Sequence, residues 1–322
     1  MLTNLVPEFL EVLRSSDRVS AYLDYFERHA SLLEPYWSNY VLPGDSPANP
    51  HFFDVIRSTV TADRADLIAL LEHTDLEDLA RGAGSRAADL LGLDSNAEIV
   101  LMVGVGAANA GELVIHGKGV AFICVEHFTA TRNKETHGLG LSPDLIPLWV
   151  AHEMAHVVRY TSPLSRSELR RLIDDSGGDY SYWETGRRTS LRELIVNEGL
   201  AVQVARAVSP GHPEWEYLGY GRRQYARVAE LAPVISQAIE PDLGGSALGL
   251  RLRYLSGGMS VGARTVDGNV LPERSGYYIG SQMVEYAIAE KGWQWAIRAS
   301  AEEITAIARE ATFPPLRIAE SA

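Results

Sequence analysis

The stretch "WVAHEMAHVVRY", residues 149 to 160, places two imidazoles and a carboxylate in a run that is otherwise almost entirely apolar. Buried polar groups need partners. On a helix, residues four apart lie one above the other, so His152 and His156 project from one face about a turn apart and can reach a single ion. Glu153 stands about 100° around the same helix and flanks that ion without having to bind it. Two neutral imidazoles holding Zn2+, beside a carboxylate that takes a proton from an activated water, is the chemistry this spacing serves. The competing explanation is a pair of histidines that cap or pair inside a helical core, since a five-residue motif with three fixed positions recurs by chance.

A third group weighs against coincidence. In "VNEGLAV", Glu198 shares a helical face with Leu194, Ala201 and Ala205, a face that is small and apolar apart from the carboxylate. Such a glutamate is expected to point into a packed neighbour, and Gly199, Ala201 and Ala205 leave that neighbour room to come close. His152, His156 and Glu198 would then make a His2Glu set with an open fourth position, the arrangement of catalytic rather than structural zinc.

At these residues the chain resembles the gluzincin metallopeptidases, with "HEMAH" and "NEGLA" standing for the HExxH and NEGFA pair of the membrane-alanyl-aminopeptidase group. Together with "GVGAANAGELVIHGKGVAFICVEHF" upstream and "GYYIG" downstream, the pattern is similar to a bacterial family of predicted zinc-dependent proteases of unknown function. The resemblance spans roughly residues 97 to 295. It implies a zincin-like fold and cleavage of peptide bonds in a peptide or protein substrate, with Glu153 as the base. It also implies an oxyanion donor, a Tyr or His well downstream of Glu198. "SGYYIG" supplies Tyr277 and Tyr278, and Tyr277 is preferred because adjacent helical residues cannot both face a metal.

Three departures from the gluzincin pattern stand out. Glu198 follows His156 by 42 positions, so a polar insertion, residues 161 to 189, must loop out between the two helices, either folded over the cleft's edge as a specificity element or as a solvated connection. Val202 occupies the position where thermolysin-like members carry an Asp that orients a zinc histidine, so that support must come from elsewhere. Asn109, in "GAANA", replaces the Glu that holds a substrate's amino group in the aminopeptidases, which argues against classical aminopeptidase action.

Two other classes share the ligand set. One is a hydrolase of a small non-peptide amide. The other is a metal-binding regulatory protein whose closed site draws a fourth ligand from His127, His137 or Glu126, and in such a site Glu153 has no task.

The elements that must position these groups are expected to form an α+β fold, mainly helical with a small sheet beside the two ligand helices. Residues 1–95 read as a helical lobe and 96–322 as the catalytic domain. "AEIVLMVGV" and "KGVAFICVE" read as strands covered on both faces, joined by a loop or hairpin. Gly104 and Gly106 lack the third Gly of GxGxxG, and "GKG" at 117–119 lacks the rest of a P-loop, so neither binds phosphate. The helix "DLIPLWVAHEMAHVVRY" is expected to start with Asp144 as N-cap and Pro147 in its first turn. Ser190 and Glu193 suggest a capping box before "IVNEGLAVQVARAV", and a further helix begins in "SGYYIGSQMVEYAIAEKG".

The chain has 322 residues and a formal net charge of −13, with no concentrated basic face. That argues against a phosphate-backbone partner, and no nucleic acid is expected. No apolar run approaches the roughly 18 residues of a membrane helix and the N-terminus has no signal pattern, so no membrane association and a cytoplasmic location are expected. The single cysteine, Cys124, excludes an intramolecular disulfide and reads as a buried strand thiol.

Overall fold

The structure, a computed structural model, describes residues 1–42, 47–93 and 97–310. It is α+β, mainly helical with a small sheet. The chain opens with β1 (Leu2–Asn4) and continues through α1 (Val6–Arg14), α2 (Arg18–Arg28), α3 (Ala30–Tyr36), α4 (Phe52–Thr61), α5 (Ala65–His73) and α6 (Leu76–Leu91). Strands β2 (Ala97–Met102), β3 (Ala110–Ile115) and β4 (Lys118–Cys124) come next. The histidines lie on α7 (Ile146–Thr161), and α8 (Glu168–Asp175) and α9 (Tyr182–Arg188) intervene before α10 (Leu191–Val208), which carries Glu198. After α11 (Glu214–Tyr217), α12 (Arg222–Ile239) and α13 (Leu248–Leu255), a ribbon of β5 (Thr265–Val266) and β6 (Asn269–Val270) leads to α14 (Ser275–Lys291), α15 (Trp293–Arg298) and α16 (Ala301–Glu310).

The main sheet has the order β1-β2-β4-β3. β1, β2 and β4 run parallel, and β3 pairs antiparallel with β4, Leu113 opposite Val120. His116 and Gly117 make the β3–β4 turn with φ of 50° and 77°, the left-handed pair whose twist matches the flanking strands. β1 departs from the helical reading of the N-terminal region. Leu2 pairs with Ile99, and Leu5 N donates to Leu101 O (2.9 Å), so the start of the chain is built into the sheet. A three-residue strand has no periodicity of its own, and its pairing partner is almost a hundred residues away. The expected domain boundary at 95/96 falls in residues 94–96, outside the described residues.

α7 is buried on every side: from Leu148 to Tyr160 each residue is withdrawn from solvent. It packs on β3 and β4 below and against α6 and α10 at its flanks. Asp144 is not its N-cap. Residues Pro143–Leu145 form a 3-10 turn that runs straight into the helix, and Leu145 precedes the first helical residue without a side-chain cap. Pro143 presets φ for that turn, so the chain is already coiled at Asp144.

The capping box at α10 is half made. Ser190 Oγ accepts from Glu193 N, but Ser190 N donates to Glu168 instead of Glu193. The Glu193 carboxylate turns inward to Arg159 on α7, Nη2–Oε1 2.8 Å, and also accepts from Glu168 N. A buried guanidinium needs a counter-charge more than a helix end needs a second cap.

α10 crosses α14 backbone to backbone. A Cβ on Gly199 would lie 2.2 Å from the Gly280 carbonyl, and one on Gly280 would lie 2.0 Å from Ile195 O, so both positions require glycine. The close neighbour anticipated for Gly199 is thus the "GYYIG" helix.

The insertion is ordered against the sheet. Leu169, Ile173 and Tyr180 are buried, Tyr180 N donates to Val114 O (2.9 Å) and Gly117 N donates to Gly178 O (2.8 Å). It covers the outer half of β3, an edge strand that would otherwise present unpaired backbone. Among the described residues no helix is long and apolar enough to cross a membrane.

Candidate active site

The facing sides of α7 and α10 bring their polar residues to one small cavity of about 170 Å3, bordered by β3, α9, α13 and the start of α14. His152 Nε2 and His156 Nε2 stand 3.4 and 3.5 Å from Glu198 Oε2. Among the described residues these three form one of two groups close enough to hold a metal ion. Donor atoms at ~2.0–2.1 Å from one tetrahedral ion are about 3.3–3.4 Å apart, so the residues present fit zinc. Glu198 Oε2 is buried without a hydrogen bond. A buried carboxylate oxygen aimed between two imidazoles and bonded to neither is what a shared cation would satisfy.

Charge at the site is arranged for such a cation. Burial lowers the pKa of His152 to about 4. For His156 burial acts in the same direction, but the charge of Glu198, with Glu112 and Glu153 behind it, outweighs it and raises the pKa to about 10. Burial alone would raise Glu198, yet His156 and His152 hold it well below the usual carboxylate range.

Glu153 lies near Glu112 on β3, and with Glu112 and His156 it makes the second group. Burial pushes Glu153 well above its ordinary pKa, His156 opposes, and the charges of Glu112 and Glu198 push further. Glu112 is held in place by Tyr160 OH, which donates to Oε1 (3.0 Å) and itself accepts from Asn197 Nδ2 (2.9 Å). Strand β3, α7 and α10 are tied together by that chain of bonds.

Tyr277 lines the cavity, whereas Tyr278 does not and packs instead near Tyr225, ring centroids 6.0 Å apart. Burial raises the Tyr277 phenol well above its ordinary pKa, Glu198 adds to this and Arg274 opposes it, so the hydroxyl stays a donor at neutral pH. Asn109 also lines the cavity, and its Nδ2 has no protein partner.

The three candidates for a fourth ligand are not with the other ligands. Glu126 accepts from the amides of Gly104 (2.9 Å) and Gly106 (2.9 Å), so the glycine turn cradles the protein's own carboxylate. His127 is buried beside Glu126, and His137 borders a separate cavity under α4. Cys124 is buried at the end of β4. Neither Nδ1 of His152 nor that of His156 has a protein hydrogen-bond partner, and Val202 is buried without offering one.

Glu112, Tyr182, Arg251 and Arg274 also line the cavity and were not anticipated from the sequence. Only Glu112 had a usable signal, as the charged position in the strand "GELVI". No protein-family profile, curated protein or solved structure matches the chain.

Proposed function

We propose that the chain is a zincin-like zinc-dependent hydrolase that cleaves peptide bonds in a peptide or protein substrate. One observation carries the reading: Glu198 Oε2 lies 3.4 and 3.5 Å from the Nε2 atoms of His152 and His156, close to the spacing of two ligands on one tetrahedral ion, with the Glu153 carboxylate grouped with His156 beside them. His152, His156 and Glu198 would hold a zinc ion, which when bound would supply Lewis acidity toward a carbonyl and toward water. Glu153 takes a proton from the attacking water and passes it to the leaving amine. Glu112, one negative charge away, raises the affinity of Glu153 for that proton. Tyr277 OH donates to the oxyanion as the carbonyl becomes tetrahedral. A purely structural metal site gives Glu153 no role.

Elemental analysis of the purified chain, paired with turnover of a fluorogenic peptide library, tests the reading. One zinc per chain is expected, with Glu153→Gln retaining it while losing about 10²–10⁴-fold in rate. Protein without a stoichiometric transition metal, or a Glu153→Gln variant as fast as wild type, overturns it.

A further inference from the structure

We infer that the substrate presents a carboxylate close to the bond that is cleaved, gripped by Arg251 and Arg274; the inference rests on the hydrolase reading above. Both guanidinium groups line the cavity that holds His152, Glu153, His156 and Glu198. Each lies over a tyrosine ring, Arg251 Cζ 3.7 Å from the Tyr182 centroid and Arg274 Cζ 4.3 Å from that of Tyr277. Arg251 Nη1 donates to Tyr182 O (2.9 Å) and Arg274 Nη1 to Gly219 O (3.2 Å). A guanidinium has five N–H donors in a rigid fork, so these bonds fix orientation and leave most donors unspent.

What sets this pair apart is the lack of a counter-charge. The buried arginines Arg159 and Arg64 have one: Arg159 pairs with Glu193, and Arg64 with Asp66. Among the described residues neither Arg251 nor Arg274 forms an ion pair, although Glu112, Glu153 and Glu198 line the same cavity. Arg251 is buried and Arg274 half-buried, and keeping cations even partly out of water without a partner is expensive, with no return from folding alone.

The local backbone also holds them in place. A Cβ on Gly186 would fall 2.0 Å from Arg251 Nη1, so α9 presses directly on that guanidinium. Arg274 has a φ of 54°, a left-handed conformation that a side chain rarely takes, and its carbonyl is held by Tyr220 OH (2.5 Å). Strain of this kind persists where the surroundings enforce it. A carboxylate suits the site because it accepts paired N–H bonds from planar forks and brings the missing charge. It could be the free C-terminus of a peptide or the side chain of an acidic residue.

The test uses three matched sets of N-acylated peptides: free acids, their C-terminal amides, and amides containing Asp or Glu. Equilibrium binding is measured on zinc-loaded Glu153→Gln protein, and cleavage on wild type. Carboxylate-bearing peptides are expected to bind about tenfold or more tightly than neutral amides, and Arg251→Met and Arg274→Met to erase that preference. Arg251→Lys and Arg274→Lys keep the charge without the fork and should retain part of it, which guards against a methionine variant that does not fold. Preference for the free acids assigns the carboxylate to the chain terminus, and preference for the acidic amides assigns it to a side chain; either supports the inference. Equal binding of acidic and neutral peptides, or no binding of acidic ones at millimolar concentration, overturns it. Cleavage without charge preference removes this inference and leaves the hydrolase standing. Charge-dependent binding with no cleavage by wild type does the reverse.

Discussion

Arg159 and Glu193 form an ion pair in which neither side chain is exposed, and the pair joins the helix of the two histidines to the helix of Glu198. Arg159 Nη1 also donates to Ala299 O (3.0 Å), which ties the pair to the turn before α16. The convergence of three donor atoms on one point depends on the relative placement of α7 and α10, and this pair is one of the bonds that sets it.

Removing one partner leaves a buried charge alone. Glu193→Gln or Arg159→Met should therefore cost about 3–5 kcal/mol, measured by urea denaturation. The double variant Arg159→Met/Glu193→Leu should recover much of the loss. Single variants as stable as wild type would show that the pair does not hold the helices.

Metal and fold should be coupled, because the ligands lie on two different helices. Zinc at a hundredfold excess over its dissociation constant is expected to stabilise the chain by about 2.7 kcal/mol. Chelation should lower the melting temperature of wild type, while His156→Ala should contain no zinc and show no response to chelator. Identical melting curves for wild type with and without chelator would separate metal from fold.

Tyr277→Phe removes a donor that acts mainly as charge develops, so kcat should fall about 10²–10³-fold with little change in KM or zinc content. Tyr278→Phe serves as the control, since its ring packs near Tyr225 away from the cavity. Equal effects of the two substitutions would remove Tyr277 from the chemistry.

Glu126 offers a pH test away from the metal ligands. Burial raises its pKa to about 7, against the pull of the Gly104 and Gly106 amides. The folded chain then keeps a proton that the unfolded chain releases near 4.5, so the group's stabilising contribution is complete below 4.5 and is lost as pH rises through 7. Relative to Glu126→Gln, wild type should lose about 3 kcal/mol across that window. A stability difference between the two proteins that is constant from pH 4.5 to 7.5 would contradict the shift.

The local geometry of the site was readable in the linear chain. His152 and His156 share a face because four residues make about one helical turn, and Glu198 turns inward because its helical neighbours Leu194, Ala201 and Ala205 are buried. The same holds for the apolar strands β2 and β4, which read as covered because both of their faces are apolar. The end of α10 at "SPG" and the burial of Cys124 are likewise products of neighbouring residues.

Other features have no local signature. Glu193 fits a capping box by spacing, yet its carboxylate goes to Arg159, 34 residues earlier, because a buried charge outweighs a cap. Arg251 stands in the leucine-rich run "LGLRLRYL" and Arg274 in the polar "PERSG", neither of which marks a cavity, and only the packing of α13 and α14 against α9 and α10 brings them into one. Whether β1 is strand or coil depended on an unpaired edge at Ile99. The sequence by itself determined which residues share a helix face or a strand, since that follows from backbone periodicity over a few residues. Only the tertiary structure decided which distant polar groups meet inside, because that depends on which charges folding shuts away from water together.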